Sequence, residues 1–243
     1  MLKRTPSLTE QAKLHIKQMI LDDTFVDGRI PAETDLAIEL GVSRTTIRDA
    51  LSRLEGEGVV MRKQGAGTFI NEVGLQIKSR LDEIWSYEAM LADHGYEASV
   101  HILDHVIRPA PKDVAEALDI ATDTPTLEVK KLFLADGKPV ILVYNHIPAH
   151  LLSGDYTDGD LQLPVYTFLW EFGRQQINHY LSEIVPVLAT GDLAHHLAVQ
   201  PNTPLISFHE VGYNDDNQPI IKSTSCFRDD LMRLRLIRRQ IIK

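Results

Sequence analysis

The chain has 243 residues, is 44% hydrophobic and 24% charged, and carries a formal net charge of −9 with a single cysteine, Cys226. That length accommodates two compact domains, the composition is globular rather than disordered, and one thiol excludes an internal disulfide, which points to a reducing cytoplasm. The apolar runs are short and broken by charge, so none spans a bilayer, and the start Met1-Leu2-Lys3-Arg4-Thr5-Pro6 leads into an amphipathic stretch rather than a secretion signal.

The acidity is unevenly placed. Residues 1–72 hold ten Lys and Arg against eleven Asp and Glu, and the remainder holds fifteen against twenty-three. Within 42–70 the balance turns positive, through Arg44, Arg48, Arg53, Arg62 and Lys63 against Asp49, Glu55 and Glu57. A grip on an anionic partner is therefore confined to one small surface.

In chain order, Thr9 to Leu21 has the apolar stripe of a helix. A loop, Asp27 to Pro31, leads to a second helix over Glu33 to Leu40, ended by Gly41. Ser43 is placed to cap a third helix, on which Ile47, Ala50, Leu51 and Leu54 share one side while Arg44, Thr45, Arg48 and Ser52 share the other. Two arginines four residues apart suit a major groove, each able to donate twice to a guanine edge. A solvated basic face is the ordinary alternative for an isolated helix. The next twelve residues argue against it: Val59 to Arg62 is a short strand, Lys63-Gln64-Gly65-Ala66-Gly67 a turn, and Thr68 to Ile70 a returning strand. A hairpin after a recognition helix is a wing, able to lie along phosphates. A phosphate-cradling nucleotide loop would need a helix after the glycines.

The runs Ile30 to Ala37, Gly41 to Leu51 and Gln64 to Phe69 resemble the GntR family of regulators. The resemblance implies DNA contacts at Ser43, Arg44, Thr45, Thr46, Arg48 and Gly65, with Lys63, Gln64 and Gly67 beside them on the wing. Thr34 stands where the family usually carries an arginine that touches DNA, so that contact is replaced or missing.

Asn71 to Ser79 reads as a linker, giving a DNA-binding domain over 1–70 and a second domain over 80–243. Leu81 to Leu91 reads as a helix stopped by His94-Gly95. The chain then repeats itself: Asp113 to Ile120 matches Asp192 to Val199, Asp123-Thr124-Pro125 matches Asn202-Thr203-Pro204, and Asp136 to Val140 matches Asp216 to Ile220. Each copy is a helix followed by a hairpin, Leu127–Leu134 with Val140–Ile147 and Leu205–Tyr213 with Ile220–Phe227. A strand precedes each, near Ala98–Arg108 and Gln176–Pro186. The expected fold class is α+β: a winged helix-turn-helix, then a pseudo-twofold antiparallel sheet with helices outside.

This second half, through Ser86-Tyr87-Glu88, Leu132 to Pro139, Ile147-Pro148 and Phe227 to Asp230, is similar to the UTRA effector domain of the HutC branch, with its chorismate-lyase-like fold. The resemblance implies a small-molecule effector between the halves, near Tyr87, Lys131, Phe133, Tyr144, Glu183, Ser223, Ser225 and Arg228. Amino-sugar-phosphate sensors of the branch have Arg-x-Arg where this chain has Lys131-Leu132-Phe133, and an acid where it has Ile221. Losing a guanidinium fork points to a ligand less phosphate-like and more apolar, unless Phe133 only fills the core.

Ten histidines invite a metal reading, but none has a diagnostic ligand spacing. No Gly-x-Ser-x-Gly elbow or Walker loop is present. The sequence therefore reads as a cytoplasmic repressor without catalytic residues, metal or cofactor. It is expected to bind a near-palindromic double-stranded operator as a homodimer, away from any membrane, under effector control. An enzyme that kept lyase chemistry and a constitutive architectural protein are the rivals from other classes.

Overall fold

The computed structural model describes residues 6–75, 84, 86–228, 230, 231 and 234, and the chain divides into two compact units, the described parts of which fall within 6–75 and 84–234.

In the first unit, helix α1 (Leu8–Leu21) starts at Ser7, whose hydroxyl accepts the Glu10 amide at 3.2 Å. A one-turn 3-10 segment (Val26–Gly28) precedes the two-residue strand β1 (Arg29–Ile30), in a stretch that sequence alone presents as loop. Two residues between Gly28 and Pro31 are too few to display a strand's period of two. Helix α2 (Glu33–Glu39) ends before Gly41, which takes φ 64°. Helix α3 (Arg44–Glu57) is capped by Ser43 and closed by Gly58 at φ 79°. Its buried side chains, Ile47, Ala50, Leu51 and Leu54, pack with Ile16, Ile20, Leu36 and Val60 in one core. Strands β2 (Val60–Lys63) and β3 (Gly67–Ile70) form the wing hairpin, and β1 adds to it in the order β1-β3-β2. The stretch expected as a linker begins as helix α4 (Glu72–Leu75). Asn71 Nδ2 donates to the Gly58 carbonyl at 2.8 Å, and a Cβ at Gly74 would lie 1.8 Å from that oxygen, so this turn is packed onto the end of α3. Residues 76–79 lie outside the described residues, as do 81–83 and Trp85 of the helix expected over Leu81 to Leu91; its described part is α5 (Tyr87–Asp93).

The second unit is built on six antiparallel strands: β4 (Ala98–Pro109), β5 (Pro125–Ala135), β6 (Lys138–Pro148), β7 (His179–Leu188), β8 (Pro204–Tyr213) and β9 (Pro219–Phe227). Their order, β4-β5-β6-β9-β8-β7, is two triplets meeting back to back at β6 and β9, the arrangement the internal repeat predicts. Helices α6 (Lys112–Leu118) and α9 (Gly191–His196) are the repeated pair. The residues after their matched turns, Asp119 and Ala198, both take φ near 50° (52° and 50°), so the repeat holds even where the side chain does not favour that backbone.

Residues 149–175, to which sequence reading assigns no element, hold helices α7 (Asp158–Leu161) and α8 (Val165–Gly173). The first is a single turn with a capping box from Thr157 and Asp160. The second carries Val165, Tyr166, Phe168, Leu169, Trp170 and Phe172, apolar on too many sides to show a clean helical stripe. Side-chain alternation splits the sheet. Met90 and Leu91 of α5 pack with Phe133, Ile141, Val143 and Phe227, while Phe168 and Leu169 of α8 pack with Leu127, Val129, Ile147 and Ile221. Ala194 of α9 and Leu197 at its C-terminal cap pack with Leu132, Leu142, Leu205 and Cys226, which point from the opposite face.

Candidate functional site

The first unit carries an exposed basic face on α3. Ser43 Oγ accepts the Thr46 amide at 3.1 Å and lies 2.8 Å from the Thr46 hydroxyl, fixing the first turn. Arg44, Thr45 and Arg48 are exposed beside it, as is Thr34 at the start of α2. The Arg48 guanidinium is held side-on by Glu33: Nε lies 3.3 and 3.1 Å from its two oxygens and Nη2 2.8 Å from Oε2. This ion pair holds the Glu33 carboxyl below its ordinary range, with Arg62 and Arg44 adding to the effect. Arg62 reaches from β2 to Glu55 at 3.5 Å and to the Arg48 carbonyl at 3.4 Å, tying the wing to α3.

On the wing, Gly65 (φ 75°) and Gly67 (φ 113°) take backbone conformations that favour glycine. Lys63 Nζ lies 4.6 Å from the centre of the Phe69 ring, which orients it without neutralising it. Gln64 is exposed at the tip. Arg29, to which the sequence reading gives no role, stands beside Gly67, because β1 pairs Arg29 with Phe69. A concave surface between α2 and the wing brings Arg29, Glu33, Arg62, Lys63, Gln64 and Gly65 together.

The second unit encloses a cavity of about 220 Å³ over the sheet face shared with α5 and α8. Tyr87, Lys131, Phe133, Ser223 and Ser225, five residues the resemblance points to, line it. Three others do not. Tyr144 lies in the packing against α9, with Lys130 Nζ 5.3 Å from its ring centre. Glu183 is exposed on β7, one residue beyond Ser182, which does line the cavity. Arg228 donates to the carbonyls of Pro139 (3.2 Å) and Leu197 (3.1 Å) and pairs with Asp230 at 2.7 Å, so it secures the end of α9. The error in the first two is one residue of strand register, which sends a side chain to the other face. Ile221 is fully buried among apolar side chains, and the acid on the cavity's sheet face is Glu210 on the neighbouring strand, two residues from the Gly212↔Ile221 pairing, while Glu88 lines it from α5.

A polar row crosses the cavity floor. Asn145, Ser223, Glu210 and Ser182 are successive register partners on β6, β9, β8 and β7. Ser223 donates to Asn145 Oδ1 at 2.7 Å, and Ser182 to Glu210 Oε1 at 2.5 Å. Glu210 is only 9% exposed, and burial raises its carboxyl above the ordinary range against the lowering effect of Ser182. One row on, Lys131, Val143, Ser225 and Phe208 are partners across β5, β6, β9 and β8. The Tyr87 hydroxyl donates to Ser225 Oγ at 2.7 Å, and its ring meets Phe133 and Phe227 edge-on at 5.1 and 5.6 Å. Phe133 therefore serves the core and the cavity wall at once. Lys131 is 4% exposed and donates to the Leu163 carbonyl at 2.9 Å, just before α8. Burial lowers its ammonium to about 8, partly opposed by the charge of Glu88. Alternation on β6 to β9 identifies Asn145, Ser182 and Glu210 once the strand register is known; Leu163 and Tyr166 come from the segment without a legible pattern.

Among the described residues, no group of three or more His, Cys, Asp and Glu could hold a metal ion, and no helix is long and apolar enough to cross a membrane.

Comparison with known proteins agrees with this architecture. Residues 8–70 match the model for bacterial regulatory proteins of the gntR family, and residues 93–233 match the UTRA domain. The chain is 25% identical over 223 residues to the HTH-type transcriptional repressor NagR of Bacillus subtilis, covering 92% of this chain and 89% of that one. It is 26% identical to the mannosyl-D-glycerate transport/metabolism system repressor MngR of Escherichia coli, covering 86% and 85%. Its fold is similar to that of YydK from Bacillus subtilis, with TM-score 0.76 at 15% identity over 98% of this chain and 100% of that one. The matched family and these relatives are DNA-binding transcription regulators, not enzymes. A gntR-family DNA-binding unit followed by a UTRA domain over more than half its length, the chain belongs to the GntR transcriptional regulators that carry a UTRA domain.

Proposed function

We propose that this regulator, of the HutC branch, is a cytoplasmic repressor that holds a near-palindromic operator as a homodimer and releases it when a small molecule enters the cavity of the second unit. The observation that carries the reading is the cavity itself. A buried lysine held by one backbone carbonyl and a buried glutamate held by one serine face it, an arrangement that costs stability unless a ligand uses it. Both repeats contribute: Lys131 and Asn145 come from the first triplet, Glu210, Ser182 and Ser223 from the second. The relatives named as repressors support the sign of regulation.

On the DNA side, Arg44 and Arg48 read base edges, Ser43, Thr45 and Thr46 position the helix, and the wing follows phosphates through Lys63, Gln64, Gly65 and Gly67. Thr34 adds a hydroxyl at the edge of the same face, and Arg29 supplies a cation near the wing. Dimerisation through β7 is supported by its position at the sheet edge with Leu181, Ile184 and Leu188 each more than half exposed. Ligand binding shifts operator occupancy by no more than its differential affinity for the free and operator-bound states. No cofactor takes part.

Selection of genomic fragments by the purified protein, in the presence of a chelator, tests the reading. A compact near-palindrome is the expected product, and retention without sequence preference would sink it. Leu181→Lys with Ile184→Lys is expected to give a monomer by sedimentation that has lost cooperative operator binding. A dimer that survives both substitutions would move the interface elsewhere.

A further inference from the structure

The cavity's charges and hydrogen bonds say what kind of small molecule it takes. Among the described lining residues Lys131 is the one Lys or Arg, set against Glu88 and Glu210, with the imidazole of His179 beside them and no guanidinium. A phosphate monoester carries −1.5 to −2 charges near pH 7 and is usually met by guanidinium forks or several donors. One ammonium opposed by two carboxylates is a poor match for it. The lysine's hydrogen-bond partner is the Leu163 carbonyl, so two of its three donors are left for a ligand. A single carboxylate uses them well.

The other end has the opposite need. Both hydroxyl protons of the floor are already directed at carbonyl or carboxylate oxygens: Ser223 to Asn145 Oδ1 and Ser182 to Glu210 Oε1. Glu210 retains acceptor sites beyond the one Ser182 fills. A ligand meets the Glu210 end of this floor by donating and the Asn145 end by accepting from Nδ2, and a hydroxyl group does both without adding charge. Lys131 and Glu210 stand on strands three places apart, roughly 14 Å between backbones. The acid and the donors of the ligand are thus separated by several atoms. Tyr87 and Phe133 give the wall an apolar aromatic surface against which a ring's C–H face can lie. The volume, about 220 Å³, lies below the roughly 300 Å³ at which pockets for drug-sized ligands begin.

We propose that the ligand is a single-ring hydroxylated carboxylate, a monoanionic polyol with its acid at Lys131 and its hydroxyls at Glu210 and Asn145, and not a sugar phosphate. This rests on the effector reading above and narrows it. The test is calorimetric titration of the full chain with three matched sets: glucuronate, galacturonate and mannuronate; the parent hexoses; and the hexose 6-phosphates. Release of a selected operator fragment is followed in parallel. At least one hexuronate is expected to bind ten times or more tightly than both its hexose and its 6-phosphate. Lys131→Met is expected to erase the preference for acid over neutral sugar, Lys131→Arg to keep it, and Glu210→Gln to weaken acid and neutral sugar alike. The Arg variant guards against misreading a folding defect. Tighter binding by a 6-phosphate, or no binding by any hexuronate, overturns the ligand class and leaves effector control standing. A hexuronate that binds as expected without changing operator release supports the class and overturns effector control.

Discussion

Arg48 illustrates how one carboxylate can shape recognition. With Nε and Nη2 engaged by Glu33, the guanidinium keeps Nη1 for the base contact proposed above. An arginine already oriented loses less freedom on binding. Arg48→Ala is expected to weaken operator binding about 5- to 150-fold, as measured by titration of a labelled fragment. Glu33→Gln should act differently. Removing a negative charge from the phosphate-facing side strengthens binding to random DNA, while a loosened Arg48 lowers the ratio of specific to random affinity. In an Arg48→Ala background, the effect of Glu33→Gln on that ratio should vanish. An unchanged ratio in the single variant would reduce Glu33 to a surface ion pair.

Lys131 makes a pH prediction with a definite sign. Its folded pKa, lowered to about 8 by burial, lies below that of a free lysine, so between the two values the unfolded chain holds a proton that the folded chain has released. Stability contributed by this site therefore rises as pH climbs from about 8 to about 10.5, by roughly 2–4 kcal/mol at most. Below 8 the charged, buried ammonium is a standing cost. Lys131→Met is expected to raise the denaturation midpoint at pH 7 and to flatten the rise above pH 8. An anionic ligand should also bind more weakly as pH passes about 8, since the cation that meets it is lost.

At the level of elements, the two repeated helices cross over. Asp113 at the start of α6 pairs with Lys222 on β9, and Asp192 at the start of α9 pairs with Lys130 on β5 at 2.9 Å. The matched aspartates of the repeat thus fasten each helix to the strands of the opposite triplet. Gly212 is a second junction: a Cβ there would lie 2.6 Å from Ile221 Cγ2 and 2.8 Å from the Tyr180 ring. Gly212→Ala is expected to cost about 1–3 kcal/mol in chemical denaturation and to weaken ligand binding by pushing Tyr180. A variant with unchanged stability would mean that the ring moves aside freely.

The same elements explain how much sequence alone reveals. Helix α3 is readable because its apolar and basic positions separate at one period and glycine and serine mark its ends. The sheet is readable because it is written twice. Tyr144 and Glu183 fall outside the cavity because a strand alternates faces every residue, so locating a segment does not locate a side chain. Arg228 follows β9, where neither period applies, and its two carbonyl partners are 89 and 31 residues away. Glu33 and Arg29 acquire their neighbours from contacts between elements, and no local pattern encodes those.

For the whole molecule, charge is divided by task. Most of the excess negative charge lies beyond residue 72, and the positive balance is confined to 42–70. A negative excess elsewhere repels DNA, so with the α3 and wing contacts proposed above it favours discrimination over bulk affinity. Binding is expected to show a modest salt slope, and Lys63→Ala should lower it by about one unit if that lysine neutralises one phosphate.

The meeting of β6 and β9 also sets a timetable. Asn145 waits for Ser223, which follows it by 78 residues. At roughly 5–20 residues per second of synthesis, β6 is made roughly 4–16 s before the strand that completes its pairing. During that interval an apolar edge including Ile141, Leu142 and Val143 has no neighbour on its β9 side. The newborn chain is therefore most vulnerable to self-association while translation is still running, and β9, which carries Ser223 and Ser225 to the cavity, is the last part of its sheet to exist.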